Sequence, residues 1–369
     1  MTGTPRLVAV VNSSLMSGAE RVLVRYLRAL AAEGWTVSCC SPAGPLATEL
    51  DRLGIETIEV PELKPGTGSR LGGLLRLAWD ELVAARPIRG AASAADVVLV
   101  NALMALPAVG LARPRAPVVW LVHDVVRRRE LRAAGRATQG AVDLAVAVSQ
   151  ASAGFPRELG LATEVVANGT AWPVEPRAGA WPSPPIIGVN GALTEWKGQH
   201  VLLEAAAHLP GVRVELMGGT FPRDGDYEDR LRQRAERSDL AGRVRFLGHV
   251  GDPLETMRNW TVAVSASVDP EAAPLNVLEA MSLGLPVIGT DHGGTPEALD
   301  GVGLLVPPDD AAAMADAIRL VVSDDALRDR LGREGRTVVE HRYGLNEAET
   351  RFVAVMEALR QQNTRGDRR

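Results

Sequence analysis

The chain has 369 residues, 46% of them hydrophobic and 23% charged, with a formal net charge of −5. That is a globular composition with room for two domains of about 150–180 residues each, and it lacks the basic excess of nucleic-acid binders. Adjacent cysteines Cys39 and Cys40 exclude a disulfide framework or metal-ligand spacing, no apolar run reaches the ~18 residues that span a bilayer, and no charged leader precedes Leu7, so a reducing, cytoplasmic location is expected.

Leu7–Val11 is a short β-branched run of the kind buried in parallel sheets. A loop follows, and Ser17 with Glu20 three positions on forms a capping-box pattern. Leu23, Leu27 and Leu30 then repeat at helical spacing until Gly34 stops the helix. Further strands are expected at Trp35–Cys40, Ala95–Val100, Pro117–Val122 and Asp143–Val148. This alternation of strand and helix predicts a doubly wound α/β domain over residues 1–171.

The proline-rich stretch 172–185 can sustain neither a helix nor a central strand and is expected to be a linker. Alternation then resumes over 186–345, with strands at Ile186–Asn190, Val212–Leu216, Val244–Leu247, Val262–Val264 and Pro286–Gly289. Ligands of open α/β sheets sit at the carboxyl ends of strands, so two such domains are expected to face each other across a cleft. An apolar helix over 346–360 and a disordered polar tail over 361–369 complete the chain.

Glu271 and Glu279, separated by seven residues, stand where a loop hands over to a short helix. Two carboxylates placed there can accept the hydroxyls of a sugar nucleotide. Pro274 suits the first turn of a helix, and the amides of Leu275 and Asn276 at its positive end can receive phosphate oxygens. Upstream, Lys197 in Gly191-Ala-Leu-Thr-Glu-Trp-Lys197-Gly198 is one of only two lysines in the chain. A bare Glu spacing or a lone lysine is more often solvated surface, and only their common register lifts them above it.

The run Asp269-Pro-Glu271-Ala-Ala-Pro-Leu-Asn-Val-Leu-Glu279, continuing to Glu297, resembles the paired-glutamate signature of retaining family 4 glycosyltransferases of the GT-B fold. The resemblance implies two Rossmann-like domains facing a cleft, with the last helix crossing back to the first. It assigns Glu271 to the donor hexose, Glu279 to the ribose hydroxyls and Lys197 to the diphosphate; Ala192 stands where the family usually carries arginine. Gly18 in Ser17–Arg21 resembles the family's glycine-containing loop, and His123, after the strand ending at Val122, its histidine beside the transferring sugar. Gly218, Gly219, His249 and Val250 match positions near the nucleotide, and Asn168-Gly169 matches a structural turn at the domain junction.

The implied activity is metal-independent, retaining transfer of a hexose from a nucleotide sugar, UDP favoured and GDP next, to a hydroxyl acceptor, with no other cofactor. The alternatives are a catalytically silent nucleotide-sugar-binding partner subunit, or an epimerase or phosphorylase on the same architecture. Rossmann dehydrogenases and P-loop enzymes are disfavoured because Gly-x-Gly-x-x-Gly does not follow the first strand and Gly-x-x-x-x-Gly-Lys-Ser/Thr does not occur. Arg127, Arg128, Arg129, Arg132 and Arg136 form a basic stretch, with Arg128, Arg132 and Arg136 expected on one helix face. A solvated face is its default reading; an anionic acceptor or a phospholipid surface is the functional alternative.

Overall fold

A computed structural model of the chain describes residues 3–64, 70–220 and 224–366. It divides into two compact units: Met1–Ala167 with Ala348–Arg369, and Asn168–Glu347.

The first unit is built on a parallel sheet of β1 (Arg6–Val10), β2 (Thr36–Ser41), β3 (Glu56–Glu59), β4 (Val97–Val100), β5 (Val118–Val122), β6 (Leu144–Ala147) and β7 (Thr163–Val165). Their order is β3-β2-β1-β4-β5-β6-β7. The central strands are the β-branched runs that the sequence marks, and Val97–Val100 and Val118–Val122 are buried at every position. Between β1 and β2 runs the helix Gly18–Ala32, which buries Leu23, Leu27 and Leu30 completely. The backbone amide and hydroxyl of Ser17 both donate to the Glu20 carboxylate, so the expected cap forms.

The second unit carries a parallel sheet in the order β10-β9-β8-β11-β12-β13. Its strands are β8 (Ile186–Asn190), β9 (Arg213–Met217), β10 (Val244–Gly248), β11 (Val262–Ser265), β12 (Val287–Thr290) and β13 (Leu304–Val306). Gly188 lies at the centre of β8 because the Trp260 indole packs flat on it: a Cβ there would fall 1.9 Å from the ring.

Three expectations need correction. The 172–185 stretch is no free linker, since it belongs to the second unit, which begins at Asn168. Arg177 N donates to Leu283 O at 2.8 Å, Trp181 Nε1 to Asp329 at 3.0 Å, and Arg336 reaches Val174 O at 2.8 Å while stacking on Trp172. Proline forbids regular ladders, but these side chains still bind the segment down. The last helix runs over Leu345–Gly366, so residues 361–366 are helical rather than disordered, because nothing in Gln361-Gln362-Asn363 breaks the periodicity before Gly366; 367–369 lie outside the described residues. From Ala348 onward this helix belongs to the first unit, where Phe352 stacks on Tyr26. Finally, Arg128 is extended at the cap position of the helix Arg129–Thr138 and does not share a face with Arg132 and Arg136, both of which pair with Glu158.

Candidate functional site

In the second unit the site grows from the carboxyl ends of β8, β9 and β11. Strand β8 delivers Asn190, and the chain then turns through Gly191 to Gly198 before the helix Gln199–Ala207. The turn is knit to its neighbours by backbone bonds: Gly191 N donates to Met217 O, Leu193 N to Gly219 O, and Gly218 N to Gly248 O, at 2.8–2.9 Å. Gly218 is required there, at φ +140, because a Cβ would lie 2.1 Å from Gly191 O. Gln199, fully buried, fixes the same turn from behind by donating to Ala192 O at 2.8 Å. The loop also receives a guanidinium from outside, Arg230, 3.3 Å from Glu195.

This turn sets Lys197 Nζ 2.6 Å from Glu271 Oε2. Both side chains are nearly out of solvent, 16% and 8% exposed, so the pair lies in a low-dielectric setting where each charge depends on the other. Ser265 and Ser267, at and just beyond the end of β11, donate hydroxyls to Glu271 Oε1, the former at 3.3 Å. Ser267 is itself anchored, its carbonyl accepting from Thr290 Oγ1 at 2.9 Å and His292 Nε2 at 2.8 Å. Burial alone would raise the Glu271 carboxyl; the Lys197 ammonium, with hydrogen bonds from Lys197, Ser267 and Ser265, outweighs it and holds the group below the usual carboxylate range. Its contribution to stability is therefore present above the ordinary carboxylate pKa and lost as pH falls through the depressed folded value. Behind Glu271 the backbone is clamped by Gly294, whose amide donates to Glu271 O at 2.7 Å, and a Cβ at Gly294 would collide with Ala272 O.

Glu279 sits on the helix Leu275–Ser282 and accepts from Asn190 Nδ2 at 3.0 Å. Both carboxylates are thus reached from the end of β8 and the turn that follows it. Pro274 occupies the cap position rather than the first turn, and the first intrahelical bond is Val277 N to Pro274 O. The amides of Leu275 and Asn276 precede that bond, at the start of the helix where backbone N–H groups have no intrahelical acceptor. Gly219 has open space where a Cβ would be, His249 is exposed, and Val250 is half-buried beside Gly248.

In the first unit, half-buried His123 follows β5, and its Nε2–H donates to Asn101 Oδ1 at 2.9 Å, which leaves Nδ1 as an acceptor. Burial pushes this imidazole down to about 4, so it is neutral at physiological pH. Asp124 beside it keeps part of its surface in water, and desolvation of its carboxyl, with the Glu20 carboxylate secondarily, raises it. Gly18 opens the helix next to Glu20, with nothing within 4 Å of a would-be Cβ. Because the unfolded imidazole titrates near 6.5 and the folded one near 4, the unfolded state holds more protons between those values, and stability falls as pH drops from 6.5 toward 4. We expect up to about 3 kcal/mol of acid-induced loss from this group. His123→Gln, which keeps a donor for Asn101, should flatten that limb; urea unfolding at several pH values measures it, and identical limbs would contradict the assignment.

The sequence did not single out Asn190, Ser265, Ser267 or His292. Short polar side chains at strand ends carry no periodic signature, and only the position of the two serines just upstream of Glu271 could have pointed to them.

Comparison with known proteins identifies the family and the fold. A family model described as "Glycosyl transferases group 1" matches residues 175–338, and one described as "Glycosyltransferase Family 4" matches residues 16–170. The lipopolysaccharide core biosynthesis glycosyltransferase LpsE of Rhizobium meliloti is 36% identical over 153 residues, 41% of this chain and 43% of that protein. A phosphatidyl-myo-inositol mannosyltransferase of Mycolicibacterium smegmatis is 36% identical over 172 residues, 44% of this chain and 42% of that protein. The chain thus matches less than half the length of these curated relatives. The crystal structure of Anabaena Alr3699/HepE in complex with UDP superposes with a TM-score of 0.81 over 96% of this chain and 100% of that one, at 22% identity, which shows a shared fold. The two family models together account for most of the sequence, and the chain belongs to the family 4 glycosyltransferases of the GT-B fold.

Proposed function

We propose that the protein moves a hexose from a nucleotide sugar, UDP-linked in preference to GDP-linked, to a hydroxyl acceptor with retention of configuration and without a metal ion. The observation that carries the reading is the convergence of Lys197, Glu271 and Glu279 on the end of β8. The UDP held by the HepE structure supports the choice of base.

Departure of the nucleotide diphosphate builds negative charge on its oxygens, and the leverage for transfer is electrostatic. Lys197 exchanges Glu271 for the diphosphate, while the amides of Leu275 and Asn276 meet it at the positive end of their helix. Glu271, still held by Ser265 and Ser267, turns its freed oxygen to the hexose hydroxyls and orients the sugar. Glu279, steadied by Asn190, accepts the ribose hydroxyls. His123, neutral, is suited to hydrogen bonding rather than to acid or base work, and the leaving phosphate takes the acceptor proton.

The roles separate by measurement. Glu279→Ala is expected to weaken UDP binding about tenfold or more, the loss of one charged acceptor of two hydroxyls, with fluorescence or calorimetric titration as the readout. Glu271→Ala should chiefly slow nucleotide release from the sugar donor at saturating concentration. Equal effects of the two substitutions on binding and turnover would overturn this division of labour. Wild-type protein that binds UDP yet releases nucleotide from no UDP-, GDP-, ADP- or dTDP-sugar would instead identify a silent partner subunit, a reading that the absent cation at Ala192 favours.

A further inference from the structure

Among the described residues, ten large apolar side chains are at least two-fifths exposed, and five of them, Leu74, Leu75, Trp79, Leu82 and Val83, lie on one helix, Arg70–Ala92. Leu75, Trp79 and Leu82 fall at i, i+4 and i+7, with Leu74 and Val83 flanking them, so they form one stripe rather than scattered singles. The opposite side of the same helix buries Leu77, Ala84, Ala85 and Ile88 in the core of the first unit. Such a helix is apolar on both faces, and water meets one of them. Leu111, 44% exposed, extends the stripe from the neighbouring helix Leu106–Ala112, to which Arg89 is tied by hydrogen bonds to Leu111 O and Ala112 O.

The fully exposed charges around this stripe are basic. Arg86 and Arg89 continue it by a further turn, Arg113 and Arg115 follow the neighbouring helix, and all four are exposed. Arg76 flanks it and faces Asp80 at 3.8 Å, while Glu81, whose carboxyl burial raises to about 7, carries at most part of a charge at neutral pH. In a protein of net charge −5, this is a local cationic surplus set around a tryptophan and four aliphatic side chains. A second copy of the chain would bring the same surplus and, on this helix, only the Asp80 carboxylate that Arg76 already faces. Anionic headgroups supply the missing counter-charge, and the acyl boundary beneath them accepts the apolar stripe, with Trp79 suited to the level between the two. The arginine stretch that the sequence marks is less suited, because Arg132 and Arg136 are engaged by Glu158. No described helix is long and apolar enough to cross a membrane, so contact of this kind is confined to the surface.

We propose that the outer face of the Arg70–Ala92 helix docks the protein on an anionic phospholipid bilayer. The inference is independent of the donor and of the transfer reaction, and it fails or stands by a binding measurement alone. The full chain is mixed with vesicles of phosphatidylcholine, pure or containing phosphatidylglycerol, and the bound fraction is read by flotation. The expected result is about tenfold stronger binding to the phosphatidylglycerol vesicles, weakened by salt, with quenching of tryptophan fluorescence by brominated lipid. The paired substitution Leu75→Glu with Trp79→Glu should reduce binding at least tenfold and abolish the quenching, while Leu305→Glu, at an exposed position of the second unit, leaves both unchanged. Arg86→Gln with Arg115→Gln should lower the preference for the anionic lipid. Circular dichroism and unfolding midpoints report whether the variants keep their fold; these side chains are exposed, and native-like values are expected. Absence of binding to phosphatidylglycerol vesicles, or binding that the Leu75 and Trp79 substitutions leave intact, overturns the proposal. So does a wild-type dimer, seen by sedimentation, that Trp79→Glu splits into monomers, which would make a second copy the occupant.

Discussion

Lys197→Met is expected to destabilise the second unit by about 3 kcal/mol, the cost of leaving a buried carboxylate without its counter-ion, and to slow sugar transfer about a hundredfold or more. The stability loss comes from Glu271, which keeps its contacts with Ser265 and Ser267 but loses the ammonium 2.6 Å away. For a unit of this size the unfolding midpoint should fall by about 6–12 °C. Replacing both partners, Lys197→Met with Glu271→Leu, removes both charges, so most of the stability should return while transfer stays lost. The cycle therefore divides what the pair does for folding from what it does for chemistry. A single variant as stable as wild type, or a double variant no more stable than the single, would show that the ion pair does not carry the energy assigned to it.

The second large effect is expected at Gly198. Its φ of +68 lies in the left-handed region, and a Cβ would stand 1.9 Å from Ala266 O and 3.3 Å from Val268 Cγ1. Left-handed backbone alone costs a non-glycine residue about 1–2 kcal/mol, but here a carbonyl must also move. Gly198→Ala should therefore cost about 3 kcal/mol or more and displace Lys197, the adjacent residue, from Glu271. Gly219→Ala is the contrasting case: a Cβ there meets nothing within 4 Å, and the change in stability should stay within about 0.5 kcal/mol. Thermal unfolding of both variants decides the matter, and comparable losses at the two positions would refute the steric account.

The strands most legible in the sequence are those with burial on both faces, although the edge strand β10 was also marked by its Val244-Arg-Phe-Leu247 run. β4 reads Val-Val-Leu-Val and β5 Val-Val-Trp-Leu-Val, and no other element suits so short an apolar run. The strands it hid are β3, β7 and β13, all at sheet edges: Glu-Thr-Ile-Glu and Thr-Glu-Val keep part of their side chains in water and show no apolar run, and Leu-Leu-Val of β13 is only three residues long. Proline misled for a related reason: it says which hydrogen bonds a backbone cannot make, and nothing about whether Trp172 and Trp181 will find arginines to lie against. Lys197, Glu271 and Glu279 were legible because their register was shared over a long signature. Their direct supports were not: Asn190 meets Glu279 only once the chain is folded, 89 residues apart in sequence, and Ser265 and Ser267, although close upstream of Glu271, are short polar side chains with no periodic signature.

Tyr26, 2% exposed, stacks face to face on Phe352, which is wholly buried, with ring centroids 4.0 Å apart. The first and last quarters of the polypeptide thus share one piece of interior. During synthesis the amino-terminal half leaves the ribosome with a bare aromatic ring on its first helix, and nothing can cover it in the native way until more than three hundred further residues have been made. A nascent chain halted at the end of the second unit, at Glu347, would hold a finished carboxyl-terminal body and an unfinished amino-terminal one, and a nonsense mutation late in the coding sequence would injure the earliest-made part of the molecule.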